Sequence, residues 1–198
     1  MLILGHVGIT FGVALAADAV ARPAAGTQAR HSHPVFSWLH ERTAVLSQRI
    51  DLRLLALGSL LPDVIDKPLG LLLFPGYFGT GRLYAHALLF PLALGIAGVW
   101  FQRSRGAPHL LVLAYGSFMH LTLDAMWHTP VTLLWPFLGP LERGHEAGDW
   151  LARLIETLLT NPAAYVTEIA GAILLAPLLW AVVRRAEFLR FLRTGRVD

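Results

Sequence analysis

The sequence predicts an all-α, polytopic integral membrane protein: a helix bundle of about five spans, with a broken second segment and amphipathic helices on the membrane surface. Three observations carry this expectation. Of the 198 residues, 55% are hydrophobic and only 15% charged, where soluble domains carry about 25% charged residues. Mean hydropathy is +0.56. Apolar stretches of about 20 residues, the length that spans a bilayer, recur along the chain between short Arg-bearing loops. Several of them also contain His or Asp. An Asp at the centre of a span costs about 2.5–3.5 kcal/mol on insertion scales, so it is expected to face a cavity, a partner or an ion.

Composition narrows the function. The chain has no cysteine, which excludes disulfides and thiolate ligands, so any metal must be held by His, Asp, Glu or backbone oxygen. Fifteen Arg and one Lys lie in scattered loops, with no basic block interleaved with aromatics, so nucleic-acid binding is not expected. The N-terminus lacks a basic region and a small-residue cleavage site, and reads as a retained first helix. No internal repeat or second domain is visible; residues 1–198 read as one membrane-embedded domain.

Met1 to Ala21 is the first span, with His6 one turn inside its start and Asp18 near its end. A single His on an apolar helix is more often a packing residue than a ligand. Arg22 to Arg53 is polar; Val35 to Ile50 suits a short amphipathic helix on the membrane surface, and His31 and His33 read as solvated. Leu54 to Phe74 is apolar but interrupted by PDVIDKP, where Pro62 and Pro68 are expected to break the helix around Asp63 and Asp66. Irregular backbone at membrane depth is tolerated only where it lines protein or water. Asp66 beside Lys67 also fits a plain surface ion pair. PGYFGTGR is a Gly-rich turn, and Leu83 to Gln102 is the third span, with His86 one turn from its start.

The fourth span, Pro108 to about Trp127, carries the densest chemistry. Within GSFMHLTLDAMWHTPVTLLWPF, His120, Asp124 and His128 are four residues apart, which on a continuous helix puts them on one face. Two imidazoles and a carboxylate on one face are typical ligands of zinc or a similar divalent ion; the alternative is an internally hydrogen-bonded polar stripe. TPVTLLWPF reads as a second broken segment. Trp150 to Leu159 has apolar residues at three-four spacing, which suits a helix lying on the membrane. His145, Glu146 and Asp149 precede it as further candidate ligands. Pro162 to Val183 is the last span, with Glu168 inside it, and an Arg-rich tail follows.

Five spans put the Arg-rich segments 22–53, 103–106 and the C-terminal tail on one side, twelve positive charges against four. Positive residues mark the cytoplasmic side, so the N-terminus is expected outside and the C-terminus inside. His6, Asp63, Asp66, His86, Asp124 and His128 then fall toward the outer leaflet, with His120 a turn deeper.

The ordered blocks LGHVGITFG, LLPDVIDKP, RLYAHALLF and GSFMHLTLDAMWHTPVTLLWPF resemble those of the membrane-bound metal-dependent hydrolases, a family also described as LexA-binding, inner-membrane-associated hydrolases. That family shows a Gly-His near the start, Leu-Pro-Asp-Ile-Asp-His, His-Arg-Gly-x-Thr-His-Ser, and a His-x-x-x-Asp helix leading to Gly-Val-x-Leu-Leu-Trp-Pro. The blocks cover about half the chain. The resemblance implies metal ligands at His6, Asp63, His86, His120 and Asp124, with Asp66 a further candidate. The chain departs from the family pattern at Lys67, Gly81, Ala85 and Ala87, so fewer ligands remain, and His128 is a substitute ligand or catalytic group. The block order is also similar to zinc-dependent phospholipase C and related nucleases, as analogy only.

The implied activity is hydrolysis in a bacterial or archaeal inner membrane, on a phospholipid or lipid-linked phosphoester, with one or two divalent ions, zinc foremost. Such an ion lowers the pKa of a bound water toward about 7. Asp66 is the candidate base, and Arg82 the candidate phosphate-holding residue. No Gly-x-Ser-x-Gly motif supports a serine hydrolase. The rival is a non-enzymatic metal-binding membrane protein, a transport or scaffold component. Transport would require polar residues in both halves of the membrane, and the inner half holds little beyond Asp18 and Glu168.

Overall fold

Eight α-helices, α1–α8, have their bounds among the described residues, which also hold a π-helical turn, a 3-10 turn and connecting turns, and no strand occurs there. The structure is a computed structural model describing residues 3–21, 43, 46, 48–141, 143–144, 150–184 and 188–195. α1 is Ile3–Ala21, α2 Leu52–Lys67, α3 Leu89–Arg105, α4 His109–Leu123, α5 Pro130–Leu133, α6 Trp150–Thr160, α7 Pro162–Arg184 and α8 Phe188–Thr194. α2 packs mainly on α4, and α1 on α7; α3 lies against α4, and α1 against α2. The expected surface helix at Val35 to Ile50 falls largely outside the described residues, as do His31, His33, His145, Glu146 and Asp149.

Among the described residues, α1 is the one helix long and apolar enough to cross a membrane by itself. Leu151–Thr160 and Pro162–Ala176, bent by 84° at their junction, make a second candidate if taken as one broken span. α2, α3 and α4 have 16, 17 and 15 residues, short of the roughly 20 that cross a bilayer without distortion. The five expected apolar segments are therefore helical, but helix length alone does not make five spans of them.

Pro62 does not break α2. A mid-helix Pro leaves the carbonyl four residues back without its usual donor, here that of Gly58. The Ser117 hydroxyl of α4 donates to Gly58 O at 3.1 Å and takes that place. At Pro68 the chain passes into a π-helical turn, Pro68–Leu73, closed by Phe74 N–H donating to Leu69 O at 3.0 Å.

Two glycine crossings set the helix spacing. A Cβ on Gly116 would stand 2.6 Å from Ser59 N, and one on Gly8 would stand 2.1 Å from Gly171 O. The α2–α4 and α1–α7 backbones touch at these points, as small residues permit. Beside the second crossing the Glu168 carboxylate accepts from Leu4 N–H at 2.9 Å and Gly5 N–H at 3.0 Å. It thereby satisfies donors that the first turn of α1 leaves open.

The start of α1, the end of α2 and the end of α4 meet at one end of the bundle. The apolar core lies elsewhere, around Phe11, Leu15, Leu55, Val112, Leu175 and Val182. The outward face of α3 presents Leu92, Ile96, Val99 and Trp100, all exposed, and α7 likewise exposes Val166, Ile169, Ile173 and Val183.

Candidate metal centre

Asp63 and Asp66 sit three residues apart near the end of α2 and so point the same way. Asp66 is fully buried. Its Oδ2 accepts from Leu83 N–H (2.7 Å) and His86 N–H (3.0 Å), and its Oδ1 from Ala85 N–H (3.1 Å). The His86 ring Nδ1 stands 2.7 Å from the same Oδ2. Both oxygens accept from backbone N–H groups, so His86 Nδ1 also donates to Oδ2, and in the neutral ring Nε2 bears the lone pair. The expectation that Asp66 is a surface ion pair with Lys67 is corrected by this. Its oxygens are fully engaged in folding the 82–86 turn and aiming His86. Lys67 pairs with Asp63 instead, Nζ to Oδ2 at 2.6 Å, one helical turn back.

His86 was expected one turn inside a span; α3 begins only at Leu89, and His86 lies in the turn that Asp66 organises. His120, buried near the end of α4, faces it. Its Nδ1 lies 2.7 Å from Ser59 O across the Gly58–Gly116 crossing. A carbonyl only accepts, so this nitrogen donates, and His120 Nε2 also bears a lone pair.

These two lone pairs confront each other, with His86 Nε2 and His120 Nε2 only 3.3 Å apart. Asp63 Oδ1 completes the group, 3.6 Å from His86 Nε2 and 3.8 Å from His120 Nε2. Two facing lone pairs beside a carboxylate repel unless a proton or a metal ion lies between them. The point equidistant from corners 3.3, 3.6 and 3.8 Å apart lies about 2.1 Å from each, which is the zinc–nitrogen and zinc–carboxylate distance. The donor set thus fits a small divalent ion.

His6 and Asp124 form the adjoining group, again with His120. His6 Nε2 is 3.2 Å from Asp124 Oδ1, without the alignment of a hydrogen bond, and His120 Nε2 is 3.9 Å from Asp124 Oδ2. The His6 and His120 rings meet edge to face at 4.1 Å. His6 Nδ1 has no hydrogen-bond partner among the described residues, and neither does the hydroxyl of Thr10 one turn on. Arg82, nearly half exposed, reaches Asp124 Oδ2 at 3.4 Å.

His128 does not share the face of His120 and Asp124. α4 ends at Leu123, Ala125 takes a left-handed backbone with φ 51°, and Met126–His128 form one 3-10 turn. The helical spacing stops before it reaches His128, which is exposed and stands beside Trp127. TPVTLLWPF becomes the single-turn α5 followed by further turns, and Leu133 O accepts from Leu88 N–H at 2.8 Å.

A cavity of about 390 Å³ opens beside this centre. Ile3, Leu60, Val64, Leu71 and Leu72 give it apolar walls, and Asp63 and Lys67 are its polar members. Sequence reasoning missed Ser59, Ser117 and the cap supplied by Glu168. A signal for the first two was present: Gly58-Ser59 and Gly116-Ser117 are matching small-residue pairs in two apolar stretches.

Fold and site together define an all-helical, membrane-associated protein that gathers buried histidines and aspartates at one end of its bundle. Residues 1–188 match the profile of a family described as "YdjM inner membrane protein", and the chain belongs to that family. No curated protein and no solved structure matches the chain.

Proposed function

We propose that the protein is a membrane-embedded metal-dependent hydrolase acting on a phospholipid or lipid-linked phosphoester. The observation that carries this is the convergence of His86 Nε2, His120 Nε2 and Asp63 Oδ1 around one point about 2.1 Å from each. The apolar cavity ending at Asp63 and Lys67 supports a substrate with an acyl chain and a charged head. A bound divalent ion supplies Lewis acidity and an acidified water at neutral pH.

The chain's own residues do the rest. Asp66 and the Ser59 carbonyl fix the rings of His86 and His120, as hydrogen bonds to the second ring nitrogen do in metal proteins. Arg82 and Lys67, the exposed cations of the site, hold phosphate oxygens. His6 Nε2 accepts the proton of the attacking water, and Asp124 Oδ1, 3.2 Å away, steadies the imidazolium. Water adds to phosphorus, the phosphorus–oxygen ester bond breaks, and the leaving oxygen takes the proton back.

The same proposal extends to membrane placement. The exposed apolar faces of α3 and α7 suit lipid, and the Arg distribution supports five segments at membrane depth, N-terminus outside and C-terminus in the cytoplasm. The centre then lies near the outer head groups.

The test is turnover of labelled phospholipids in mixed micelles with added zinc or manganese. Release of a head group or phosphate is expected from the native chain and not from Asp124→Asn. No release from any lipid phosphoester, or equal release by Asp124→Asn, overturns the proposal.

A further inference from the structure

We infer that the centre seats a single metal ion on Asp63, His86 and His120, and that His6 and Asp124 stand outside the coordination sphere. This rests on the metal-centre proposal above and adds the number of ions and the division of labour among five residues that the resemblance treats alike. The two candidate triads, Asp63–His86–His120 and His6–His120–Asp124, share His120. An imidazole nitrogen has one in-plane lone pair. His120 Nδ1 is committed to Ser59 O, so Nε2 is the one donor atom left, and it serves one ion at a time.

Which triad takes it is decided by the other ring nitrogens. Metal-binding histidines almost always donate their second ring N–H to a fixed acceptor, which sets tautomer and aim. His86 does so to Asp66, and His120 to Ser59. His6 does not; its Nδ1 meets no acceptor among the described residues. In the His6 triad the short approaches to Asp124 use different oxygens, Oδ1 at 3.2 Å from His6 Nε2 and Oδ2 at 3.9 Å from His120 Nε2, so a single shared oxygen stands less evenly between the rings. The His86 triad converges through one oxygen of Asp63.

The surrounding charges agree. In a two-ion site a bridging carboxylate places one oxygen on each ion, about 3.5–4 Å apart. Asp63 Oδ1 faces the histidines, but Oδ2 is held by Lys67 Nζ at 2.6 Å. Lys67 thus supplies at that oxygen the positive charge a second ion would bring. Arg82 approaches Asp124 Oδ2 in the same sense. With Asp63, Asp66 and Asp124 against Lys67 and Arg82, one divalent ion already overbalances the local charge, and a second would have only the unoriented His6 ring and Asp124 to hold it.

The experiment is metal stoichiometry and affinity on the full chain in detergent, with no activity readout. The protein is stripped with chelator, loaded with zinc or cobalt(II), desalted, and its metal measured per chain; competition with a chelating dye gives affinity. One equivalent is expected. His120→Gln and His86→Gln should lose at least a hundredfold in affinity, while His6→Gln and Asp124→Asn keep one equivalent within about threefold of the native affinity. Helical circular dichroism and gel filtration restrict the comparison to folded variants. Two tightly held equivalents, or loss of metal by folded His6→Gln or Asp124→Asn as severe as in His120→Gln, would overturn the inference while leaving a metal protein. No binding by the native chain would overturn the metal centre itself.

Discussion

Gly116→Ala is the sharpest probe of how the helix crossing serves the site, because it adds one methyl group and touches no ligand. The new Cβ would lie 2.6 Å from Ser59 N, 2.7 Å from Gly58 C and 2.9 Å from Gly58 Cα. All three are backbone atoms, so no side chain can swing aside. Restoring ordinary contact at 3.4 Å requires α2 and α4 to part by about 0.8 Å there. The His120 Nδ1 to Ser59 O hydrogen bond, now 2.7 Å, would stretch to about 3.5 Å, beyond useful length. The Ser117 bond to Gly58 O, which offsets Pro62, would open equally. Overpacking of this kind costs about 1–3 kcal/mol, and a buried carbonyl losing its donor adds about 1–3 kcal/mol. We expect about 2–6 kcal/mol of lost stability. Metal-site geometry tolerates about 0.2 Å, and loss of an orienting hydrogen bond costs about 10–100-fold in metal affinity, so zinc binding should weaken at least tenfold. Thermal unfolding in detergent and dye competition measure the two effects. Gly95→Ala is the control, since its Cβ would meet only Ala114 Cβ at 4.0 Å. If Gly116→Ala melts and binds zinc like Gly95→Ala, the crossing does not position His120, and the reasoning fails.

Asp66→Asn replaces an oxygen by an NH₂ group facing N–H donors in the 82–86 turn, so at least one buried donor loses its acceptor, at about 1–3 kcal/mol. We expect a lower melting temperature and weaker zinc binding together, read by thermal unfolding and metal analysis; unchanged values would mean that Asp66 does not organise His86. For topology, reporter fusions after Arg105 and Arg193 should report cytoplasm and one at Gly144 the outside, and an inverted or mixed pattern would rule out five alternating segments.

The sequence by itself determined the helical, membrane-suited character and marked the His and Asp residues as candidates. Composition and apolar run length are properties of a chain, not of its folding, and a His or Asp inside an apolar run is conspicuous without coordinates. It also pointed to His6, Asp63, His86, His120 and Asp124 coming together, and they lie in one cluster at one end of the bundle. Tertiary structure alone decided what holds each of these groups. Whether Pro62 breaks a helix depends on a donor 55 residues away, Ser117, that takes the abandoned carbonyl. Whether Asp66 pairs with Lys67 at the surface or braces a buried turn depends on three N–H groups 17–20 residues further on. Helical spacing from His120 suggested His128, but a left-handed residue at Ala125 ends the periodicity, and nothing local announces it. Which histidines aim a lone pair at a metal is a property of what holds their other nitrogen. For His120 that group is a carbonyl on another helix, reachable because Gly58 and Gly116 let two backbones touch.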